Sequence, residues 1–250
     1  MLKTKLNTVS ADIGNTRVKF LVNPDSDGAA EIFSYPWRIN TEKAFYSAAY
    51  NLKKLGINNV SAVSVNAEAE KKLKTCLEKN GIRFGRVRRI LNHPLVSDYD
   101  IRKIGLDRLA NIHAARFTFS DKNLIVLDSG TALTIEVIKK NRHCGGFILP
   151  GERTMISALH KNTAQLPLLS KVDSCENPGR NTTEAILRGS SMLFKSGVKS
   201  ILSQLVDDCD GATVVVTGGN GKTITEIFSS ARYFPELTLR GVLIMGKRKP

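Results

Sequence analysis

The apolar residues of this chain recur with two periods. From Val9 to Val22 they form a β-like stretch, broken by a turn-like Gly14-Asn15-Thr16. After Thr41 the spacing becomes helical, with Phe45, Ala48, Ala49 and Leu52 on one face and Gly56 as the stop. Ile57 to Val65 alternates as a strand does. Asn66 then offers an N-cap for a helix ending at Gly81, with Ala69, Leu73, Cys76 and Leu77 on one side. Arg83 to Ile90 reads as a basic strand, and Leu106 to Phe119 as a helix. Asn123 to Ile138 predicts two strands around a glycine turn, because Leu133, Ile135 and Val137 alternate with Thr134 and Glu136. A third strand at Phe147 to Leu149 runs into Pro150-Gly151. Asn181 and Glu184 form a capping-box signature ahead of a long helical region. A strand from Thr213 to Val216, the segment TGGNGKT, a helix to about Arg232 and an apolar piece from Leu239 to Met245 follow.

Strands alternating with helices predict an α/β fold. One pattern occurs twice. DIGNTRVKF begins at Asp12 and DSGTALTIEV at Asp128, 116 residues later. Each reads Asp-x-Gly, small polar residues, then a β-like tail. The echo predicts two homologous lobes, 1–119 and 120–250, packed without a Pro- or Ser-rich linker.

Composition narrows the class. The chain has 250 residues, 42% hydrophobic and 24% charged, which supports a sizeable core and excludes collagen-like and wholly disordered chains. The net charge of +14 attracts anions of every kind, and does not choose among nucleic acid, nucleotides and small carboxylates. Cys76, Cys144, Cys175 and Cys209 have no metal-site spacing, so reduced thiols are expected. No apolar run reaches membrane-spanning or signal-peptide length, so a soluble cytoplasmic protein with no membrane partner is expected.

Several segments can carry chemistry. A strand ending in Asp12, followed by Gly14, lets the backbone approach a ligand closely, and successive N–H groups in such a turn cradle phosphate. Asn15, Thr16 and Lys19 add donors and charge. Asp12 suits a phosphate site when hydrated Mg²⁺ lies between them. A plain glycine hairpin is the alternative, but a second copy at Asp128-Ser129-Gly130-Thr131 favours a two-sided phosphate clamp facing a cleft. Gly105-Leu106-Asp107-Arg108 places an anion and a cation side by side as a helix begins. Asp107 can accept a hydroxyl proton and Arg108 can bind an anion, or Asp107 can serve the helix dipole alone. Gly145-Gly146-Phe147-Ile148-Leu149-Pro150-Gly151 marks either close approach to a ligand or ordinary turns. Thr217 to Thr223 ends like a P-loop, but Val216 stands where that motif needs glycine. A glycine turn against a flat ring fits it equally. His93, His113, His143 and His160 lack metal spacing, and Arg83, Arg86, Arg88 and Arg89 read as solvated charge.

Taken in order, DIGNT, GLDR, DSGTALT, GGFILPG, TAQLP (Thr163 to Pro167), GRNTTEAI (Gly179 to Ile186) and TGG resemble the type III pantothenate kinases along essentially the whole chain. The resemblance implies duplicated ribonuclease-H-like lobes of the actin-like ATPase fold. It implies ATP-dependent phosphorylation of pantothenate to 4′-phosphopantothenate, the first step of coenzyme A synthesis, in a cytoplasmic homodimer using Mg²⁺ and K⁺ or NH₄⁺. By position, Asp12, Ile13, Gly14, Asn15, Thr16, Arg17, Val18 and Lys19 bind ATP, with Thr131, Gly218 and Gly219. Tyr99, Gly105, Leu106, Asp107, Arg108 and Thr182 bind pantothenate. Asp107 is the general base and Asp128 the monovalent-cation ligand. Tyr99-Asp100-Ile101-Arg102 lacks the family's Asn-Pro and stands six residues before Gly105. The strong positive charge and this altered segment keep a nucleotide-binding regulatory or nucleic-acid-associated protein on the same fold as the alternative.

Overall fold

In a computed structural model, which describes residues 8–22, 30–87, 95–169 and 178–246, both periods become elements of two α/β units. The first unit takes in the described residues of Met1–Pro94, Tyr99–Phe119 and Glu236–Pro250. The second takes in those of Leu95–Asp98 and Ser120–Pro235. One crossing, Phe119 to Ser120, falls at the sequence boundary. The chain also makes a four-residue excursion at Leu95–Asp98, and returns to the first unit after Pro235.

In the first unit, β1 (Thr8–Ile13), β2 (Arg17–Val22), β3 (Glu31–Pro36), β4 (Asn59–Ser64) and β5 (Arg83–Arg86) form a sheet of order β3-β2-β1-β4-β5. The first three strands are antiparallel neighbours, while β4 and β5 run parallel to β1. Parallel strands need crossovers, which α1 (Thr41–Lys54) and α2 (Ala67–Lys79) supply. Asn40 and Asn66 cap them, accepting from Lys43 N–H at 3.0 Å and Ala69 N–H at 2.9 Å. Val9, Ala11 and Ile13 share one core with Phe45, Ala48, Leu52, Leu73 and Leu77. Leu→Ala truncation at such a buried position costs about 2–5 kcal/mol.

The other sheet face carries α3 (Leu106–Thr118) and α7 (Leu237–Gly246). Helix α7 packs on α3, β1, β2 and β4. This explains the small polar residues in the first strand. Ser10 is paired with Ser61 of β4, and Gly246 of α7 lies over Ser61. A larger side chain there would lift the helix from the sheet.

The second unit repeats the plan. Here β7 (Leu124–Ser129), β8 (Ala132–Lys139), β9 (Arg142–Pro150), β10 (Thr213–Thr217) and β11 (Arg232–Tyr233) take the order β11-β10-β7-β8-β9, with β6 (Val96–Ser97) added at the β9 edge. Strands β7, β8 and β9 are antiparallel in turn, and β10 and β11 run parallel to β7. Each strand of the first sheet thus has a counterpart with the same neighbours. Crossovers α4 (Glu152–Asn162), α5 (Thr182–Asp208) and α6 (Gly221–Ile227) connect them. Ile125, Leu127, Leu133 and Ile135 meet Phe194, Val198 and Leu202 of α5 in its core. Asn181 caps α5, with Glu184 N–H donating to its Oδ1 at 3.0 Å, and Glu184 Oε2 reaches back to accept from Arg180 N–H at 2.7 Å, one residue before the cap.

Several expectations change. Strand β9 begins at Arg142 rather than near Phe147, and α6 stops at Ile227, leaving Arg232 in a strand. Gly145-Gly146 lies within β9 and is not a turn. Gly145 has φ +111° beside a bulge between Val137 and Ile138, and a Cβ on Gly146 would collide with Ile135 O. His113 is a buried residue of α3. Cys76, Cys144 and Cys209 are free thiols. Arg88 to Ile90, His93, Cys175 and the basic tail Lys247-Arg248-Lys249 lie outside the described residues. No helix among the described residues is long and apolar enough to cross a membrane.

Gly241 fixes the closeness of α7 to α3, because a Cβ there would collide with the Ala110 backbone. Backbone cannot yield as a side-chain end can. Gly241→Ala is expected to lower stability by about 1–3 kcal/mol through this overpacking. Thermal denaturation followed by circular dichroism checks it; an unchanged midpoint would show that the helices separate freely.

Candidate active site

The first Asp-x-Gly segment is the β1–β2 hairpin. Gly14 N–H donates to Arg17 O at 3.0 Å, and a Cβ on Gly14 would stand 3.3 Å from that oxygen. The tight turn leaves Asn15, Thr16 and Arg17 exposed, with Asp12 half-buried at the strand end opposite Lys19. Ile13 and Val18 are fully buried, so their side chains serve the core and only their backbone can face a ligand. Two side chains from outside the motif hold this turn. Trp37 Nε1–H donates to Gly14 O at 3.0 Å, and Asn66 Nδ2 donates to Asn15 Oδ1 at 3.3 Å. Val65 N–H adds a bond to Ile13 O at 3.1 Å. The Gly14 carbonyl and N–H are thereby both committed within the protein, and the N–H groups of the exposed Asn15 and Thr16 are those that can face an anion.

The β7–β8 hairpin is the second copy, one residue shorter. Gly130 N–H donates to Ala132 O at 2.9 Å, and Asp128 lies between Thr134 of β8 and Thr217 of β10. Gly218 follows Thr217 with φ +93°, and a Cβ on it would stand 2.5 Å from Asp128 Oδ1 and from Ser129 O. Only glycine satisfies both the angle and the space. Asn220 N–H donates to Ser129 O at 2.9 Å, the counterpart of the Val65 bond in the first unit. Thr131 is exposed; its carbonyl accepts from Gly151 N–H at 3.0 Å and from Thr154 Oγ1 at 2.5 Å. A Cβ on Gly151 would collide with Gly130 O, so the glycine after Pro150 belongs to this hairpin's support. Gly219 is exposed. The following Gly221 makes room for the Tyr233 ring, whose hydroxyl donates to Gly218 O at 3.0 Å. The segment is therefore a packed glycine corner leading into a seven-residue helix.

Ser129 Oγ and Thr217 Oγ1 are buried without a hydrogen-bond partner among the described residues. Thr217, the ladder partner of Asp128, shares its face of the sheet, and a hydroxyl with a carboxylate is the oxygen-donor chemistry that suits a hard cation; Ser129, next to Asp128 in the strand, faces the other side. No group of three His, Cys, Asp or Glu residues that could hold a metal gathers among the described residues.

Gly105-Leu106-Asp107-Arg108 begins α3. Gly105 has φ −56° and ψ 145°, angles open to any residue, so its conformation does not demand glycine. Space does, since a Cβ would collide with Asp107 Oδ1. The Asp107 carboxylate folds back over Gly105 at the helix start, where the dipole favours its charge. Arg108 is buried, and its guanidinium lies 5.7 Å from the centroid of the half-exposed Tyr99 ring. The segment between them is a 3₁₀ turn, Ile101–Lys103, capped by Asp100. Arg102, bonded to Asp100 through side chain and backbone, holds that carboxyl below its ordinary range. Leu106 lies half-buried in the same turn, and Thr182 is exposed at the first position of α5.

Asp12–Lys19, Tyr99 and Gly105–Arg108 belong to the first unit, and Asp128, Thr131, Thr182, Gly218 and Gly219 to the second. Trp37, Tyr233 and Thr154 carried no motif that would have found them. Asn66 was legible as a cap, but its amide also reaches Asn15.

The family model of type III pantothenate kinases matches residues 8–204. A type III pantothenate kinase of Sulfurihydrogenibium is 30% identical, over 96% of this chain and 99% of its own length. Among solved structures, a Baf family protein of Campylobacter jejuni has a TM-score of 0.57 at 22% identity, covering 95% of this chain and 96% of its own. A ROK family glucokinase of Streptomyces griseus, in complex with glucose and AMPPNP, has a TM-score of 0.51 at 13% identity, covering 94% and 97%. The last two show the fold, that of the actin-like ATPases, and the matches to the family show more: this chain belongs to the type III pantothenate kinases.

Proposed function

We propose that this chain transfers the γ-phosphoryl group of ATP to the primary hydroxyl of pantothenate, with Asp107 as the general base. The observation that carries the reading is the Gly105–Asp107 contact, which fixes a carboxylate at a helix start beside a buried Arg108. Asp107 accepts the hydroxyl proton as the oxygen–phosphorus bond forms and the bond to the leaving ADP oxygen breaks. Arg108, Tyr99 and Thr182 bind and orient the acceptor. The N–H groups of Asn15 and Thr16, with Lys19, hold phosphate, as does that of Thr131 in the second turn. Gly218 and Gly219 serve the nucleoside. Bound cations supply neutralisation of phosphate charge: Mg²⁺ near Asp12, and K⁺ or NH₄⁺ on Asp128 with Thr217 as a further oxygen donor. The family carries with it a homodimer and a cytoplasmic location. The regulatory alternative is not favoured by curated sequence relatives such as that of Sulfurihydrogenibium, which is named as a kinase, although the Campylobacter jejuni structure is named as a transcriptional activator.

Pantothenate-dependent ADP release is expected to need Mg²⁺ and to rise with K⁺ or NH₄⁺; release that ignores pantothenate would sink the reading. Asp128→Ala should abolish the response to monovalent ions. Asp107→Asn should lower kcat by about 10²–10⁴-fold while ATP affinity, measured by calorimetry, stays unchanged. Gly105→Ala, which puts a methyl where the Asp107 carboxylate rests, should also lower kcat. Trp37→Phe keeps an aromatic ring beside Phe45 but loses the bond to Gly14 O. A hydrogen bond of about 1 kcal/mol corresponds to a rise in KM for ATP of roughly fivefold, with kcat retained.

A further inference from the structure

A buried polar chain crosses the edge of the second sheet. His143 Nε2 lies 2.9 Å from Glu136 Oε2, and His143 Nδ1 lies 2.8 Å from Ser97 Oγ. His143 and Glu136 are 0% and 1% exposed. In the tautomer that donates Nε2–H to the carboxylate, Nδ1 accepts from the Ser97 hydroxyl. Ser97 belongs to β6, which has only two residues and pairs with Arg142 and His143 of β9. So short a parallel strand cannot hold itself by its ladder.

Its other ties are local. Leu95 is buried, Asp98 N–H donates to His143 O at 2.9 Å, and Asp98 pairs with Arg142. The Arg142 partnership holds the Asp98 carboxyl below its ordinary range, but both side chains are about half exposed, and exposed pairs contribute little. The Ser97–His143–Glu136 chain is a more buried tie than the Asp98–Arg142 pair, and lower dielectric strengthens each of its bonds.

The strand's position in the chain gives it a further meaning. Asp98 is the last residue of the second unit's excursion, and the next residue is Tyr99, whose ring meets Arg108. We infer that His143 and Ser97 are positioning residues, which anchor β6 to β9 and so restrain the residue from which the chain runs directly into Tyr99. This rests on the reading of Tyr99 and Arg108 as acceptor-binding residues. His143 touches neither substrate in this proposal. It acts through Ser97, the strand and Tyr99.

The test uses the full chain and four variants. Ser97→Ala and His143→Phe are expected to raise KM for pantothenate about fivefold to tenfold, the loss that one or two hydrogen bonds imply, with kcat and KM for ATP within about twofold of wild type. His143→Gln keeps one donor and one acceptor and should recover part of the loss. The double change Glu136→Leu/His143→Phe replaces the buried pair by apolar volume. It should restore the thermal midpoint lost in His143→Phe while KM for pantothenate stays raised, which a merely structural role would not give. Hydrogen exchange reads the anchor without substrate: amides of Val96 to Tyr99 should exchange about tenfold faster in Ser97→Ala than in wild type. Wild-type exchange there, or equal rises in KM for both substrates, overturns the proposal. If the wild-type protein leaves pantothenate unphosphorylated while exchange still accelerates in the variant, the kinase reading fails and the anchoring stands. If pantothenate is phosphorylated but its KM does not move in folded Ser97→Ala, the kinase reading stands and the positioning role fails.

Discussion

Close backbone approach is the constraint on which the candidate site depends. Each central strand must end in a carboxylate and reverse at once, and nothing larger than hydrogen fits where the supporting chain comes up beside it. Gly218 against Asp128 and Ser129, Gly151 against Gly130, and Gly105 against Asp107 are three instances. In each, a methyl group would displace a carboxylate or the turn that holds it. The glycines therefore set where the acids stand, a stricter role than allowing a bend. Around them the two sheets are built alike, so the same solution is used twice with a one-residue difference in turn length.

The sequence exposed the parts of this fold whose apolar pattern is strong. Leu133, Ile135 and Val137 alternate and are buried; Ala69, Leu73 and Leu77 repeat at helical spacing and are buried. Where the pattern is thin, reading stopped. Helix α4 buries only Glu152 and Ile156, so it offers almost no stripe, and it begins directly after a Pro-Gly pair that looks like a turn. Strand β6 has two residues, one exposed. The first half of β9 was hidden by Gly145-Gly146, since glycines that accommodate a bulge and a neighbouring carbonyl look like turn residues when only the order of letters is known.

The candidate site divides in the same way. Asp12, Asp107 and Asp128 could be singled out because chemistry restricts which residue types can act there, and the family resemblance suggested a role for each. Their supports could not. Trp37 reaches Gly14 from 23 positions away and Tyr233 reaches Gly218 from 15. Neither lies in a motif, because a hydrogen bond to a carbonyl oxygen asks only for a donor at the right place. Arg108 is intermediate: its type was legible, but its burial over Tyr99 was not.

The return of the chain after Pro235 has a consequence for synthesis. Helix α7 covers a face of the first sheet, yet it lies C-terminal to every strand of the second. During translation the first sheet waits, with Ser10 and its neighbours uncovered, until the whole second unit has been made. The first unit is begun earliest and finished last, so its folding cannot be completed domain by domain as the nascent chain emerges. An order of assembly is thus written into the connectivity: the second unit can close on itself while the first still lacks its final helix.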